Sequence, residues 1–277
     1  PMCTLITGER EYSSLFGVTA HELAHSWFHH LLGTNEAKYA WMDEGFTSFY
    51  DMLCEAAILG TENPYSSFYD RYFQLVQSGV EEPLTTHADR FQYNFAYGVG
   101  SYSKGALFLA QLEYIMGTYK LIETIKRYYD VFKFSHPTPN DFKRIAEKVS
   151  GMQLEWYLND WVRTTNTIDY GVQKVEEKGE KTVVVLERIG NMPIPVEVYV
   201  EMNDGSFYYY YIPLRMLRGE KEFVNNTVTT IDDWAWAIPT YTFEIDNDLD
   251  DIKYILINPN GLVADVNPKN DVYYKAE

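Results

Sequence analysis

Near residue 170 the apolar pattern of this chain changes period, and no other feature constrains its fold as much. From about residue 12 to 165, apolar residues recur at three- and four-residue intervals, the spacing of helices buried along one face. Beyond it the period is two, and "KTVVVLERI", "IPVEVYVEM", "SFYYYYIPL", "YTFEID" and "IKYILIN" read as strands. Helices first and strands afterwards, with no crossover helices between the strands, define an α+β chain whose strands are expected to pair in an antiparallel sandwich. The boundary falls near residue 170, giving a helical domain over 1–169 and a β domain over 170–277.

Local signals fill in both halves. Gly33, Gly60, Gly117 and Gly151 each follow an apolar run and are expected as left-handed helix ends. In "TPNDFKRIAEKVSG", Thr138 suits the cap, Pro139 the first helical position, and Phe142, Ile145, Ala146 and Val149 share one face. "MCTLIT" reads as a strand against the helical body, and residues 83–100, aromatic and ending in glycines, read as a long loop. Asn203-Asp204-Gly205 is a hairpin signal, and Tyr208 to Tyr211 should alternate between the two faces of a strand.

With 46% apolar residues in 277, the chain has material for a substantial core, and no apolar run of membrane-spanning length occurs. Forty acidic against twenty-three basic residues give a net charge of -17, a field that repels nucleic-acid phosphates. Cys3 and Cys54 lack metal-ligand spacing and are expected as buried thiols; two cysteines set no compartment.

Against that background, "VTAHELAHSWFHHLLG" places ionisable groups at a cost inside an apolar stretch. His21 and His25, four apart on a helix, present both imidazoles to one side, where they can grip one metal ion. Glu22 lies one residue on, where its carboxylate can reach a metal-bound water without being a ligand. Leu23, Ala24, Trp27 and Phe28 are expected to pack the helix into the protein. Catalytic zinc takes three protein ligands and keeps an open position. "YAWMDEGFTSFYDMLCEAAILG" supplies the third: Glu44, with eighteen residues between His25 and itself, while Asp43 is better suited to capping the helix that follows. Asp51, two turns further on the face of Glu44, is near enough to accept the spare imidazole proton of a zinc histidine. His29 and His30 are expected at the surface or behind the ligands, and His87 and His136 have no matching partner.

"HELAHSWF" in register with "WMDEGFTSFY" resembles the M1 family of zinc aminopeptidases, of the gluzincin clan. The resemblance implies a mainly helical thermolysin-like zinc peptidase domain followed by a small antiparallel β-sandwich. It implies one zinc per chain held by His21, His25 and Glu44, Glu22 as general base, and a peptide substrate. It also draws attention to "AYGVGSYSKG": Tyr102 takes the place of the family tyrosine that donates its hydroxyl to the tetrahedral intermediate, and Tyr97 that of a second, substrate-binding tyrosine. The chain departs from the family pattern at Ser26, where glutamine is usual, and at His29-His30, where glycine-asparagine is common. "PMCTLITG" is similar to the stretch just after the family's amine-binding glutamate, so that segment and the family's amino-terminal β domain are expected in a longer parent. Without them the alternatives are a gluzincin endopeptidase, or an inactive peptide-binding fragment with a structural zinc.

Overall fold

The computed structural model describes residues 12–60, 63–223 and 227–275. Helices and sheets occupy separate stretches, so the chain is α+β. It divides into two compact units: one holds 1–113, 118–150 and 157–165, the other 114–117, 151–156 and 166–277. The second unit thus takes two short pieces from sequence that the periodicity alone assigns to the helical half.

The helical unit contains α1 (Tyr12–Ala24), α2 (Phe46–Leu59), α3 (Ser66–Ser78), the short α4 (Asn94–Gly98), most of α5 (Gly105–Met116), α6 (Thr118–Phe132), α7 (Pro139–Ser150) and most of α8 (Glu155–Arg163). Its central element is α5, apolar on nearly every side: Leu107, Phe108, Leu109, Ala110 and Leu112 are all buried, as a helix surrounded by others requires. Aromatic rings interlock around it. Trp41 meets Phe108 edge-on at 4.8 Å, Phe46 meets Phe142 at 5.0 Å, and Tyr157 stacks on Phe108 at 5.0 Å. α8 is tied to α5 by polar tips as well: Tyr157 Oη donates to the Phe108 carbonyl at 2.7 Å and Trp161 Nε1 to the Lys104 carbonyl at 3.1 Å. α7 begins where the sequence places it, and the Thr138 N–H and hydroxyl both donate to Asp141 Oδ2, fastening the first turn.

Among the described residues the segment Ser26–Leu31 is kinked at Phe28, and two π-helical turns lie over Trp41–Gly45 and Val99–Lys104. Each of the two adds a residue to the local turn and re-aims the side chains it carries, and such turns concentrate at functional sites.

Among the described residues the β-rich unit carries two sheets. β1 (Tyr170–Lys178), β2 (Lys181–Arg188) and β6 (Thr240–Ile245) form the smaller, in the order β1-β2-β6. β3 (Val196–Met202), β4 (Phe207–Ile212), β5 (Val228–Thr230), β7 (Ile252–Ile257) and β8 (Val272–Tyr274) form the larger, in the order β5-β4-β3-β7-β8. Val198 and Val200 of β3, Ile255 of β7, Val184 and Leu186 of β2 and Ile245 of β6 make up its core. Tyr210 of β4 and Phe243 of β6 approach to 5.3 Å within it. The β3–β4 hairpin turns at Asn203-Asp204-Gly205, with Gly205 at φ 86° and its N–H donating to the Met202 carbonyl at 3.1 Å. Register opposes Val198 to Tyr210 and Val200 to Tyr208, so the tyrosine run alternates faces.

Several expectations are corrected. The larger sheet is mixed, because β5 pairs with β4 in parallel after a connection too long for a hairpin. Gly33 is not left-handed; its N–H donates to the Ser135 carbonyl at 2.8 Å, in a short parallel bridge of Leu32 with Ser135. Residues 83–100 are more ordered than a loop, holding a 3-10 turn at Ala88–Arg90 and α4. Cys54 is an exposed free thiol, since it lies on the outer side of α2. Leu23 and Trp27 are 61% and 44% exposed rather than packed: only Ala24 and Phe28 of that set are buried, and the other two border an apolar groove with Phe16, Tyr50, Ile125 and Tyr129. The strand expected at "MCTLIT", and Cys3 within it, lie outside the described residues.

Candidate active site

α1 packs against α2, and the π-turn of Trp41–Gly45 joins onto the start of α2, so the histidines of one element face the carboxylates of the other. The ligand atoms of His21, His25 and Glu44 all lie within 4.8 Å of one another. His21 Nε2 is 3.2 Å from Glu44 Oε2 and His25 Nε2 is 3.5 Å from the same oxygen. The two rings stand edge to face, centroids 4.8 Å apart. Glu44 lies in the π-turn before α2 rather than at the helix start, and the wider turn aims its carboxylate at α1.

The far side of each ring is held as well. His21 Nδ1 donates to Asp51 Oδ2 at 2.6 Å. His25 Nδ1 faces the Phe28 carbonyl at 2.7 Å, Asp43 Oδ1 at 2.9 Å and the Thr47 hydroxyl at 3.2 Å. Asp43 is therefore no helix cap: it is buried, and its Oδ1 is shared between His25 and His29, whose Nδ1 lies 2.6 Å away. His29 Nε2 in turn meets Glu36 Oε2 at 2.9 Å.

Charge and burial oppose one another here. Burial lowers the pKa of His21, but hydrogen bonds to Asp51 and Glu44 outweigh it and raise the value to about 9. Burial also lowers that of His25, and the bonds to Asp43 and Glu44 carry it up to about 10. Glu44 is pushed up by burial and pulled down further by His21, His25 and Tyr102, ending at about 2. The three side chains form a group that could hold a metal ion between two imidazoles and one carboxylate.

Tyr102, on the π-turn of Val99–Lys104, stacks on His21 at 5.7 Å and shares a hydrogen bond with Glu44. Burial, and then the Glu44 carboxylate, raise its hydroxyl far above the usual phenol range, so it stays a donor. It also borders a cavity of about 490 Å³ with Arg71, Gln74, Asn94 and Phe95. Tyr97, on α4, stacks edge-on against Phe91 at 5.5 Å; burial and the charges of Glu44, Asp43 and Glu36 raise its pKa, which puts it in the field of the same carboxylates. Glu22 is half-buried on the α1 turn between the two histidines.

The π-turn bearing Tyr102 has its own anchor. Lys104 is fully buried, with its ammonium 2.7 Å from Glu81 Oε1 and above the rings of Trp161 and Tyr72. The sequence offered Lys104 only as part of a motif, and nothing in its spacing named Glu81 as partner. Asp43 and His29 were in view as residues, but their pairing depends on the kink at Phe28, where the backbone leaves helical geometry.

The profile of the peptidase family M1 domain matches residues 4–161. Glutamyl aminopeptidase of Sus scrofa is 26% identical over 58% of this chain and 17% of its own length. Probable aminopeptidase 2 of Sulfurisphaera tokodaii is 28% identical over 75% of this chain and 27% of its own length. The crystal structure of Legionella pneumophila aminopeptidase A in complex with aspartic acid superposes with a TM-score of 0.55 over 91% of this chain and 26% of that one, at 14% identity, a likeness of fold. The chain belongs to peptidase family M1, and it spans about a quarter or less of the length of the curated relatives it matches.

Proposed function

We propose that this chain is the zinc-binding and catalytic part of an aminopeptidase, with one zinc ion per chain held by His21, His25 and Glu44. The observation that carries the reading is the convergence of both Nε2 atoms on one oxygen of Glu44, while each Nδ1 is occupied behind the ring. That arrangement fits zinc: imidazoles pinned through Nδ1 present Nε2 lone pairs inward, and Asp51 and Asp43 act as the carboxylates that fix tautomer and orientation. Zinc bound there supplies Lewis acidity toward water and the scissile carbonyl.

The remaining chemistry falls to side chains. Glu22 takes a proton from the attacking water and returns it to the leaving amine. Tyr102 donates its hydroxyl to the carbonyl oxygen as negative charge develops; its stacking on His21 puts it beside the metal ligands, and its high pKa keeps the proton in place. Tyr97 contacts the substrate from α4. These roles belong to the helical part, residues 1–169 in the sequence reading, with 170–277 as a separate β domain.

Removal of amino-terminal residues is the activity that the relatives' names suggest for the whole protein. The test is turnover of paired peptides, one with a free amino terminus and one N-acetylated, by the zinc-loaded native protein and its Glu22→Gln variant. Selective cleavage of the free peptide, lost in Glu22→Gln with zinc retained, is expected. Equal turnover of both peptides would replace the reading with an endopeptidase, and absence of zinc from the purified protein would remove it.

A further inference from the structure

Behind His25 lies a second layer of ionisable groups for which zinc chemistry by itself has no use. Asp43 Oδ1 receives two imidazole nitrogens, His25 Nδ1 at 2.9 Å and His29 Nδ1 at 2.6 Å, and the opposite edge of His29 is held by Glu36 Oε2 at 2.9 Å. Three of these groups run from the surface inward: Glu36 is 64% exposed at its side chain, His29 27%, and Asp43 7%. A carboxylate as buried as Asp43 needs donors on it. His25 is a partial donor only, because its single Nδ1 proton is also directed at the Phe28 carbonyl, 2.7 Å away. His29 therefore makes the shorter bond to Asp43, and it stands where the resembling family commonly carries glycine, a residue with no side chain to donate.

We infer that His29 is a positioning residue for the zinc ligand His25, clamping Asp43 against Nδ1 of that ring so that Nε2 stays aimed at Glu44. The inference rests on the zinc reading above and extends it to a residue that touches neither metal nor substrate. Glu36 holds the far edge of His29 and sets its ring plane. Groups of this kind act on a metal site by restricting ligand rotation, and their removal typically lowers metal affinity by about 10- to 100-fold.

The experiment measures zinc affinity by chelator competition at fixed pH, together with the visible spectrum of the cobalt-substituted protein, for wild type, His29→Ala, His29→Gln and Glu36→Gln. His29→Ala should bind zinc about 10- to 100-fold more weakly and shift the cobalt bands. His29→Gln keeps an N–H donor for Asp43 and should recover most of that loss, a rescue that packing of the ring would not give. Glu36→Gln, at an exposed position, should fold normally and show a smaller but measurable drop. Wild-type affinity and an unchanged cobalt spectrum in His29→Ala overturn the inference. If His29→Ala does not fold, the same two readings in Glu36→Gln decide it, and wild-type values there overturn it. A wild-type protein that binds no zinc fails differently: it removes the zinc reading itself, and this inference with it.

Discussion

Gly45 and Gly105 meet backbone against backbone: a methyl group built on Gly105 would lie 2.9 Å from the Gly45 Cα and 3.0 Å from the Trp41 carbonyl. One residue before Gly45 stands Glu44, and three before Gly105 stands Tyr102, so the contact of these two glycines sets the spacing between the proposed metal ligand and the tyrosine beside it. Adding a side chain at either position forces the two π-turns apart. Gly105→Ala should cost about 1–3 kcal/mol in urea unfolding, the usual range for overpacking a filled core. Gly98→Ala, with open space around it and no positive φ, should be near neutral. Equal unfolding midpoints for Gly105→Ala and wild type would show that the crossing does not constrain the site.

Tyr102→Phe separates the hydroxyl from the ring. Stacking on His21 survives the change while the donor is lost, so zinc content should hold and kcat should fall by about 10²–10³. KM should move less, because the bond strengthens as charge develops on the carbonyl oxygen. Near-normal kcat in a folded, zinc-loaded variant would exclude Tyr102 and leave Tyr97 as the next residue to change.

Zinc binding should release protons, and the sign follows from the pKa values. In the metal-free protein His21 and His25 stay protonated up to about 9 and about 10, against 6.5 unperturbed, because Asp51, Glu44 and Asp43 surround them. The stability these charged pairs contribute is fully present below about pH 6.5 and is lost as pH rises through 9 to 10. Zinc takes the neutral rings, so at pH 7 its uptake should displace about two protons, and affinity should rise steadily with pH toward 9. Calorimetry in two buffers of different ionisation enthalpy reads this number directly. Zinc uptake at pH 7 with no proton release would mean that the histidines are already neutral without metal.

The lines of the fold that were legible in the sequence are those set by local pattern. α7, the strands β2, β3, β4, β6 and β7, and the hairpin at Gly205 all follow from spacing and turn residues, and they occur within a residue or two of where the pattern puts them. β1, β5 and β8 were not read. Val172 and Lys174 flank a bulge that spoils the alternation of β1, and the other two are three-residue edge pieces held by partners far away in the chain. The site divides the same way. His21, His25 and Glu44 come together as helix periodicity and the paired motifs required, and Asp51 meets His21 because seven residues return it to the face of Glu44. Asp43 was misread, since capping preference is a local signal, whereas its actual partners arrive from a kinked turn on another element.

The β-rich unit should lose stability as pH rises, through Asp271. That residue is 4% exposed, and its Oδ1 has no hydrogen-bond partner among the described residues. Burial first, and then the charges of Asp265 and Asp169, push its pKa up to about 8 from 3.8. Asp265 is raised too, to about 6, although the Tyr170 and Asn267 N–H groups each donate to it at 2.8 Å. Between pH 4 and 8 the folded state holds a proton on Asp271 that the unfolded chain has released, so stability falls with each unit of pH until the carboxyl ionises near 8. Asp271→Asn removes that linkage and replaces a buried ionisable group with a neutral one that carries its own donor. From pH 5 to pH 8 the variant's advantage over wild type should grow by up to about 1.4 kcal/mol per pH unit. At pH 5 the advantage should be much smaller, because only about one pH unit then separates the solution from the unfolded carboxyl's pKa. Urea unfolding at both pH values, followed by a probe in the β-rich unit, measures the difference of differences. A constant gap between wild type and Asp271→Asn across that range would show that Asp271 ionises no differently in the folded and unfolded states.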